Sequence, residues 1–205
     1  MNCPLCKSQG KPFYGDDFFT CSNCSGIYRN KKDYLDVTAE LRRYNEHNND
    51  INDPGYQKFV SPITKYVLTN FKANHSGLDF GSGTAPVISK MLQDNGYTIQ
   101  QFDPFFSNKV ALLNATYDYI VCCEVIEHFH TPDVEFKLLH TMLNSNAALI
   151  CMTHLYDDTI DFKNWYYKND PTHVFMYRQK TIDFIADHYN FTHCEINDRL
   201  IVFKS

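Results

Sequence analysis

The sequence predicts an α/β fold: a mostly parallel sheet built by alternating strands and helices, behind a small cysteine-rich segment. Three observations carry this. From residue 76 onward, apolar runs suited to buried strands alternate with helical patterns, and strand–helix alternation gives a parallel sheet. The first of those runs passes through Gly77-Leu78-Asp79-Phe80 into Gly81-Ser82-Gly83-Thr84, an acid and two glycines at a strand-to-helix turn. The first thirty residues carry Cys3, Cys6, Cys21 and Cys24 in a C-x2-C…C-x2-C array.

Residues 1–30 read as a zinc ribbon. Cys3-Pro-Leu-Cys6 and Cys21-Ser-Asn-Cys24 form two knuckles, and Phe13-Tyr14 and Phe18-Phe19-Thr20 flank the turn Gly15-Asp16-Asp17 as a hairpin does. Four thiolates close a tetrahedral shell, so the expected ion is a structural Zn2+ that supplies most of the folding energy of so short a segment. Thiolates also bind iron, and reduced cysteines in a degenerate ribbon are the remaining alternative. Cys122, Cys123, Cys151 and Cys194 sit in apolar strand patterns and read as small buried hydrophobes.

Residues 31–75 read as helical. One amphipathic pattern runs through Leu41, Tyr44 and His47. A second starts at Asp53-Pro54, a cap followed by a first-turn proline, and continues through Tyr56, Phe59, Val60, Ile63 and Val67, with a kink expected at Pro62. In residues 76–205, strands are expected near 77–81, 97–102, 117–123 and 147–152, and helices near 84–95 and 132–143. Gly96 stops the first of these helices. Thr131-Pro132-Asp133 opens the second with a capping hydroxyl, a proline at the first helical position and an early acid. A polar, aromatic-rich stretch covers 153–179. A helix near 180–189 and two strands near 191–197 and 199–204 follow, the strands close enough to be an antiparallel hairpin.

The glycine turn implies a nucleotide-type cofactor, since glycine lets backbone turn sharply and approach a ligand. Asp103 ends the next strand about twenty residues on, where an acid accepts hydrogen bonds from a ribose diol. A dinucleotide site reads G-x-G-x-x-G, but here Pro86 holds the third glycine position and Asp79 precedes the first glycine. An acid there repels a pyrophosphate and suits a cationic group. S-adenosylmethionine carries an ammonium, a sulfonium, an adenosine and no phosphate, and is the cofactor expected.

The run Tyr117 to Cys123 leads into Glu124-Val125-Ile126-Glu127-His128-Phe129 and then Pro132. With these motifs the chain resembles the class I S-adenosylmethionine-dependent methyltransferases, which carry an acidic Gly-x-Gly motif, a second-strand acid and an x-x-E-H-x-x-x-P segment after the fourth strand. More narrowly it resembles a bacterial group with an N-terminal four-cysteine zinc ribbon. That group's motifs correspond to His47–Asp50, Asp53–Tyr56, Phe102–Phe106 and Trp165 through Tyr177. The resemblance covers nearly the whole chain. It implies a Rossmann-like sheet with an antiparallel last strand. Only residues 104–116 separate the second strand from the next, so the third-strand edge is expected to be reduced or missing.

The resemblance implies that Asp79, Phe80, Gly81, Ser82, Gly83, Asp103, Pro104, Glu124 and His128 hold the cofactor, with Tyr44, His47 and Tyr56 closing over it. Aromatic faces favour a sulfonium. The segment 165–177 is the expected acceptor wall. There His173 would take the acceptor's proton, Asp170 would orient His173, and Tyr177 would complete the wall. After the fourth strand, methyltransferases of exocyclic base amines carry an Asn/Asp-Pro-Pro-aromatic tetrad. Here Cys123-Glu124-Val125-Ile126 stands in that place, which disfavours them.

With 205 residues there is length for one sizeable core and a small appendage. A net charge of −5 argues against broad nucleic-acid binding, although Arg42-Arg43 and Lys31-Lys32 leave room for a local patch. No run is long and apolar enough for a membrane span, and the N-terminus lacks a signal-peptide pattern, so disulfides are not expected and a cytoplasmic location is. The leading expectation is a methyltransferase acting at oxygen or nitrogen of a small molecule. An rRNA or tRNA base methyltransferase with an RNA-docking zinc module, and a cofactor-binding interaction protein without turnover, are the alternatives. Oligomeric state is open.

Overall fold

A computed structural model describes residues 1–46 and 49–205. The chain begins with three antiparallel strands, β1 (Gly10–Tyr14), β2 (Phe18–Cys21) and β3 (Ile27–Arg29), with the expected hairpin turn between the first two. The two knuckles fold alike. The N–H of the residue after the second cysteine donates to the first cysteine's carbonyl, from Lys7 to Cys3 at 3.0 Å and from Ser25 to Cys21 at 3.2 Å. Both Lys7 and Ser25 take a φ of 62°.

Helix α1 (Val37–Asn45) is capped by Asp36, which accepts from the Ala39 N–H. Helix α2 (Pro54–Asn70) is capped by Asp53, which accepts from the Tyr56 N–H, as the Asp-Pro signal requires. It runs as one helix through Pro62, where a kink was expected.

Then come β4 (Ser76–Phe80), α3 (Val87–Asp94), β5 (Thr98–Phe102), β6 (Tyr117–Cys123), α4 (Pro132–Thr141) and β7 (Leu143–Met152). The chain closes with β8 (Phe175–Met176), α5 (Gln179–His188), β9 (His193–Asn197) and β10 (Leu200–Lys204). Among the described residues six strands form the main sheet, in the order β5-β4-β6-β7-β10-β9. The first four are mutually parallel, and β10 lies antiparallel between β7 and β9. The third-strand edge is missing among the described residues: between β5 and β6 the chain makes only a 3-10 turn, Val110–Asn114.

Two local expectations are corrected. Helix α3 starts at Val87, not near residue 84, because Pro86 takes a non-helical ψ of 68° and residues 81–86 stay in the loop. Thr131 does not cap α4 with its hydroxyl. That hydroxyl donates to the Glu135 carboxylate at 3.0 Å, and the backbone carbonyl of Thr131 takes the Val134 N–H instead.

Alternate residues of the central strands feed two cores, which is why those strands read as continuous apolar runs. Tyr119, Val121, Ile150 and Val202 pack with α2 and α3. Leu78, Ile120, Leu149 and Phe203 pack with α4 and α5 on the other face. The N-terminal strands are joined to this body. β3 pairs with β8, Tyr28 opposite Phe175, and Phe18 and Ile27 pack with Tyr156, Phe162 and Trp165. Among the described residues, no helix is long and apolar enough to cross a membrane.

Phe136 of α4 is fully buried and meets the rings of Phe129, Tyr177, Tyr189 and Phe203. Phe136→Ala is therefore expected to lower unfolding free energy by about 3–5 kcal/mol in urea titration. A loss under about 1 kcal/mol would mean that this face collapses onto the gap.

Candidate active site

The C-terminal ends of β4, β5 and β6 open into a cavity of about 1010 Å³, the place where ligands sit in an open parallel sheet. Its floor is the glycine turn. Gly81 has a φ of 80°, and a Cβ there would stand 2.4 Å from a Val125 methyl carbon. Gly83 has a φ of 62°, and a Cβ there would meet nothing within 4 Å. The first glycine lets the turn pack against Val125. The second leaves its backbone bare toward the cavity. Two N–H groups of the turn, Gly81 and Ser82, donate to the Phe102 carbonyl at 2.8 and 3.2 Å and tie β4's end to β5's.

Asp103 follows β5. One carboxylate oxygen accepts from the Phe105 and Phe106 N–H groups at 2.8 and 3.0 Å, and the other from the Gly83 N–H at 3.0 Å. The acid therefore fixes its own loop and the glycine turn together, at the cavity wall. Phe80, Ser82, Pro104, Tyr44 and Tyr56 also line the cavity. Tyr44 packs edge-on against His128, ring centroids 5.4 Å apart. His47 lies outside the described residues.

Asp79 is buried behind the turn rather than in the cavity wall, and accepts from the Ser89 hydroxyl at 2.7 Å. Burial, with Asp103 adding to it, pushes its carboxyl up to about 6, against the Ser89 hydrogen bonds that pull it down.

The opposite wall is made by Glu124, Val125 and His128 after β6 and by Tyr166, Tyr167, Asp170 and His173. Glu124 adopts a φ of 51°, the left-handed region that a non-glycine residue enters at a cost. Its carboxylate lies 3.7 Å from the Arg199 guanidinium, and burial raises its carboxyl to about 7. Glu127 is fully buried. It accepts from the Tyr167 hydroxyl in a short hydrogen bond and from the Thr153 hydroxyl at 3.1 Å. Burial, then Glu124, raise its carboxyl to about 8.

His173 stands in the wall as expected, but Asp170 does not orient it. The Nδ1 of His173 meets the Tyr167 carbonyl at 2.7 Å. The Asp170 carboxylate accepts from the Thr172 N–H and hydroxyl and, at 2.7 Å, from Arg43. Thr172 and Arg43 hold the Asp170 carboxyl below its ordinary range despite burial, while burial lowers His173 to about 4.

Tyr177 is not in the wall. It is fully buried and its hydroxyl donates to the Ile126 carbonyl at 2.9 Å, so its ring serves the core beneath. Sequence reasoning missed Arg29. From β3 it donates to the carbonyls of Lys168, Asp170 and His173 at 2.8, 3.1 and 3.3 Å. No local pattern marks that role. The four cysteines of the knuckles also converge: Cys3 and Cys24 sulfurs lie 3.6 Å apart, Cys6 and Cys21 sulfurs 3.3 Å, and all four within 4.8 Å of one another.

Residues 53–196 match the family model described as a methyltransferase domain. No curated protein matches the chain. Among solved structures, the chain is similar to a 1,6-didemethyltoxoflavin-N1-methyltransferase from Burkholderia thailandensis, with its substrate and S-adenosylhomocysteine bound. The TM-score is 0.58 at 10% identity, over 97% of this chain and 99% of that one. It is similar to an S-adenosylmethionine-dependent methyltransferase from Archaeoglobus fulgidus, with a TM-score of 0.57 at 15% identity, over 73% of this chain and 94% of that one. A third is an O-methyltransferase family protein from Burkholderia thailandensis, with a TM-score of 0.50 at 10% identity over 72% of this chain. Of that protein's own length only 56% is covered. At such identities these likenesses show a shared fold.

The Asp79 carboxyl sits near 6 folded against an ordinary 3.8, so the folded state holds this proton more tightly. Folding then gains from Asp79 as pH falls from about 6 toward 4, and bears the cost of a buried charge above 6. Asp79→Asn is expected to be more stable than the native chain at pH 7.5, with the gap closing as pH falls through 6 toward 4. Urea unfolding at pH 7.5, 6 and 4.5 checks this. A gap that stays constant overturns it.

Proposed function

Since the chain belongs to the methyltransferase-domain family and is an S-adenosylmethionine-dependent methyltransferase, we propose that it methylates oxygen or nitrogen of a small molecule. The cavity between the glycine turn and the 165–173 segment is the proposed place. One observation carries this reading: the glycine turn and the candidate acceptor wall face one continuous cavity of about 1010 Å³. Small-molecule pockets run to about 300–1,000 Å³, so this one has room for the cofactor and a modest acceptor together.

In the proposed arrangement the Oδ2 of Asp103, which keeps a lone pair beside the Gly83 N–H, takes a ribose hydroxyl, the bare Gly83 backbone lets the cofactor lie close, and Tyr44 and Tyr56 cover it. A lone pair on the acceptor attacks the methyl carbon, the C–S bond breaks with its electrons going to sulfur, and the acceptor's proton leaves. The leaving group is good, so orientation supplies much of the rate. The Tyr167 carbonyl can only accept, so the Nδ1 of His173 carries hydrogen and the Nε2 carries the lone pair that receives an acceptor hydroxyl. The 1,6-didemethyltoxoflavin bound in the similar Burkholderia thailandensis enzyme agrees in kind with a small-molecule acceptor.

The thiolate cluster fits a structural zinc. Tetrahedral Zn–S bonds of about 2.3 Å place sulfurs about 3.8 Å apart, close to the paired spacings of 3.3 and 3.6 Å. Zinc there would brace β3, whose Arg29 holds the acceptor wall. An RNA substrate is the lesser reading, because Arg43 of the proposed local patch is already engaged by Asp170 and Glu46.

Calorimetric titration is expected to show S-adenosylmethionine binding at one site per chain. Asp103→Ala should weaken it by about tenfold or more. His173→Ala should leave that affinity within about threefold and lower turnover by at least about tenfold on an acceptor found in a phenol, catechol and amine panel. Absence of cofactor binding would falsify the reading. Binding with no turnover on any acceptor would favour an interaction protein, and a salt-dependent RNA gel shift would favour the RNA substrate.

A further inference from the structure

The rim of the cavity carries two exposed aromatic rings. Tyr166, in the wall segment, is 59% exposed, and Phe59, on α2, is 38% exposed, and both line the cavity. An aromatic ring left in water gains free energy when a ligand covers it.

Exposure alone is ordinary for a surface tyrosine. Tyr166 differs because its ring is fixed. Its hydroxyl accepts from the Arg199 guanidinium at 2.6 Å and faces the Nδ1 of His154 at 3.3 Å. The same Nδ1 meets an Arg199 N–H group at 3.3 Å and the Trp165 indole N–H group at 3.4 Å. Those two groups can only donate, so Nδ1 carries the lone pair and Nε2 the hydrogen. Burial, then Arg199, lower the pKa of His154 and favour this neutral ring. The Tyr166 hydroxyl thus receives from Arg199 and gives its own hydrogen to His154.

These partners come from separate parts of the chain. His154 follows β7, and Trp165 precedes Tyr166. Arg199 stands in the turn between β9 and β10, and its carbonyl takes the Thr153 N–H at 3.2 Å, which anchors that turn beside His154. Its guanidinium also lies over the Phe59 ring, 5.9 Å from the centroid, and 3.7 Å from Glu124. One cation joins the two exposed rings of the rim. Ordering an exposed ring costs side-chain entropy, and the ring itself buries little in return. A ligand that meets the ring already in place recovers that cost.

The rings continue inward along the wall. Tyr167 follows Tyr166 at a centroid distance of 6.0 Å, and His173 lies 4.2 Å from Tyr167.

We propose that Tyr166, held by Arg199 and His154, is a stacking platform for the acceptor, with Phe59 beside it across the guanidinium, and that the acceptor is a planar, fused-ring aromatic alcohol. Its hydroxyl reaches toward the Nε2 of His173 while its outer ring lies against Tyr166. Tyr167 separates those two points, which suits a fused pair of rings better than a single one. Aromatic faces and edges attract one another, so the platform selects flat ring systems over saturated ones of equal skeleton. The site of methylation rests on the methyl-transfer reading, and ring recognition at the rim stands without it.

The probes are 2-naphthol and decahydro-2-naphthol, which share a hydroxyl and a carbon skeleton and differ in flatness. Each is titrated calorimetrically into the full, zinc-loaded chain, with and without S-adenosylhomocysteine. 2-Naphthol is expected to bind at least about fivefold more tightly than its saturated partner. Tyr166→Ala should abolish that preference and Tyr166→Trp should keep it. Arg199→Met, which releases the ring, should reduce it by at least about twofold. In the native chain, 2-naphthol should shift the Tyr166 ring-proton resonances and decahydro-2-naphthol should not, which decides the matter if a variant fails to fold. Equal binding of the two alcohols, binding of neither, or a preference that survives Tyr166→Ala overturns the platform. S-adenosylhomocysteine binding without a preference for 2-naphthol leaves methyl transfer standing and removes the platform. The preference without S-adenosylhomocysteine binding does the reverse.

Discussion

The carboxyl of Glu127 has no access to solvent, and the upper half of the molecule is arranged around that fact. A polar group left unpaired in such a place costs about 1–3 kcal/mol, more if charged. Its partners are therefore obligatory, and they come from different elements. Thr153 follows β7, and Tyr167 comes from the aromatic segment after it. The Glu127 carbonyl takes the Val174 N–H at 3.0 Å, and the neighbouring Ile126 carbonyl takes the Tyr177 hydroxyl. One residue after β6 thus fastens the loop before β8 over the sheet's end, and the cavity wall exists because of it.

The N-terminal strands fasten the same loop from outside. Arg29 gathers three carbonyls of residues 168–173, Arg43 binds Asp170, and Tyr28 lies parallel to Phe175 at 6.3 Å. Three strands and two knuckles have little core of their own, so their order depends on the sulfur cluster and on this docking. The loop they hold carries His173. The cysteine-rich segment is in this sense part of the wall of the site, although none of its cysteines lines the cavity.

What was legible in the sequence was local. Strand periodicity, the glycine turn, Asp53-Pro54 and Gly96 each state their structure in a few adjacent residues, and each is found where it was read. The missing third-strand edge was legible too, because residues 104–116 have no length for it. What failed depended on partners distant in the chain. Thr131 carries a capping side chain, but Glu135 takes its hydroxyl. Asp170 stands three residues before His173, yet Arg43 and Thr172 claim its carboxylate. Tyr177 belongs to a motif whose neighbours line the cavity, but strand alternation past β8 turns it into the core. No window of sequence contains those competing partners.

The two acids of the glycine turn show how burial divides one chemistry into two. Asp103 spends its carboxylate on three N–H groups at the cavity wall. Asp79 is held by Ser89 and has no opening to the cavity, and it feels Asp103 as a like charge. Two acids so placed give this end of the cavity a negative potential that little solvent screens. A pyrophosphate would meet that potential as repulsion. A donor bearing an ammonium and a sulfonium meets it as attraction, and by doing so favours the ionised form of Asp79. On the proposed placement, the acid need not touch the cofactor to select it, because a charge one layer behind the turn acts through low-dielectric protein. On that placement, the carboxyl is kept at the cost of burial because its charge favours the donor.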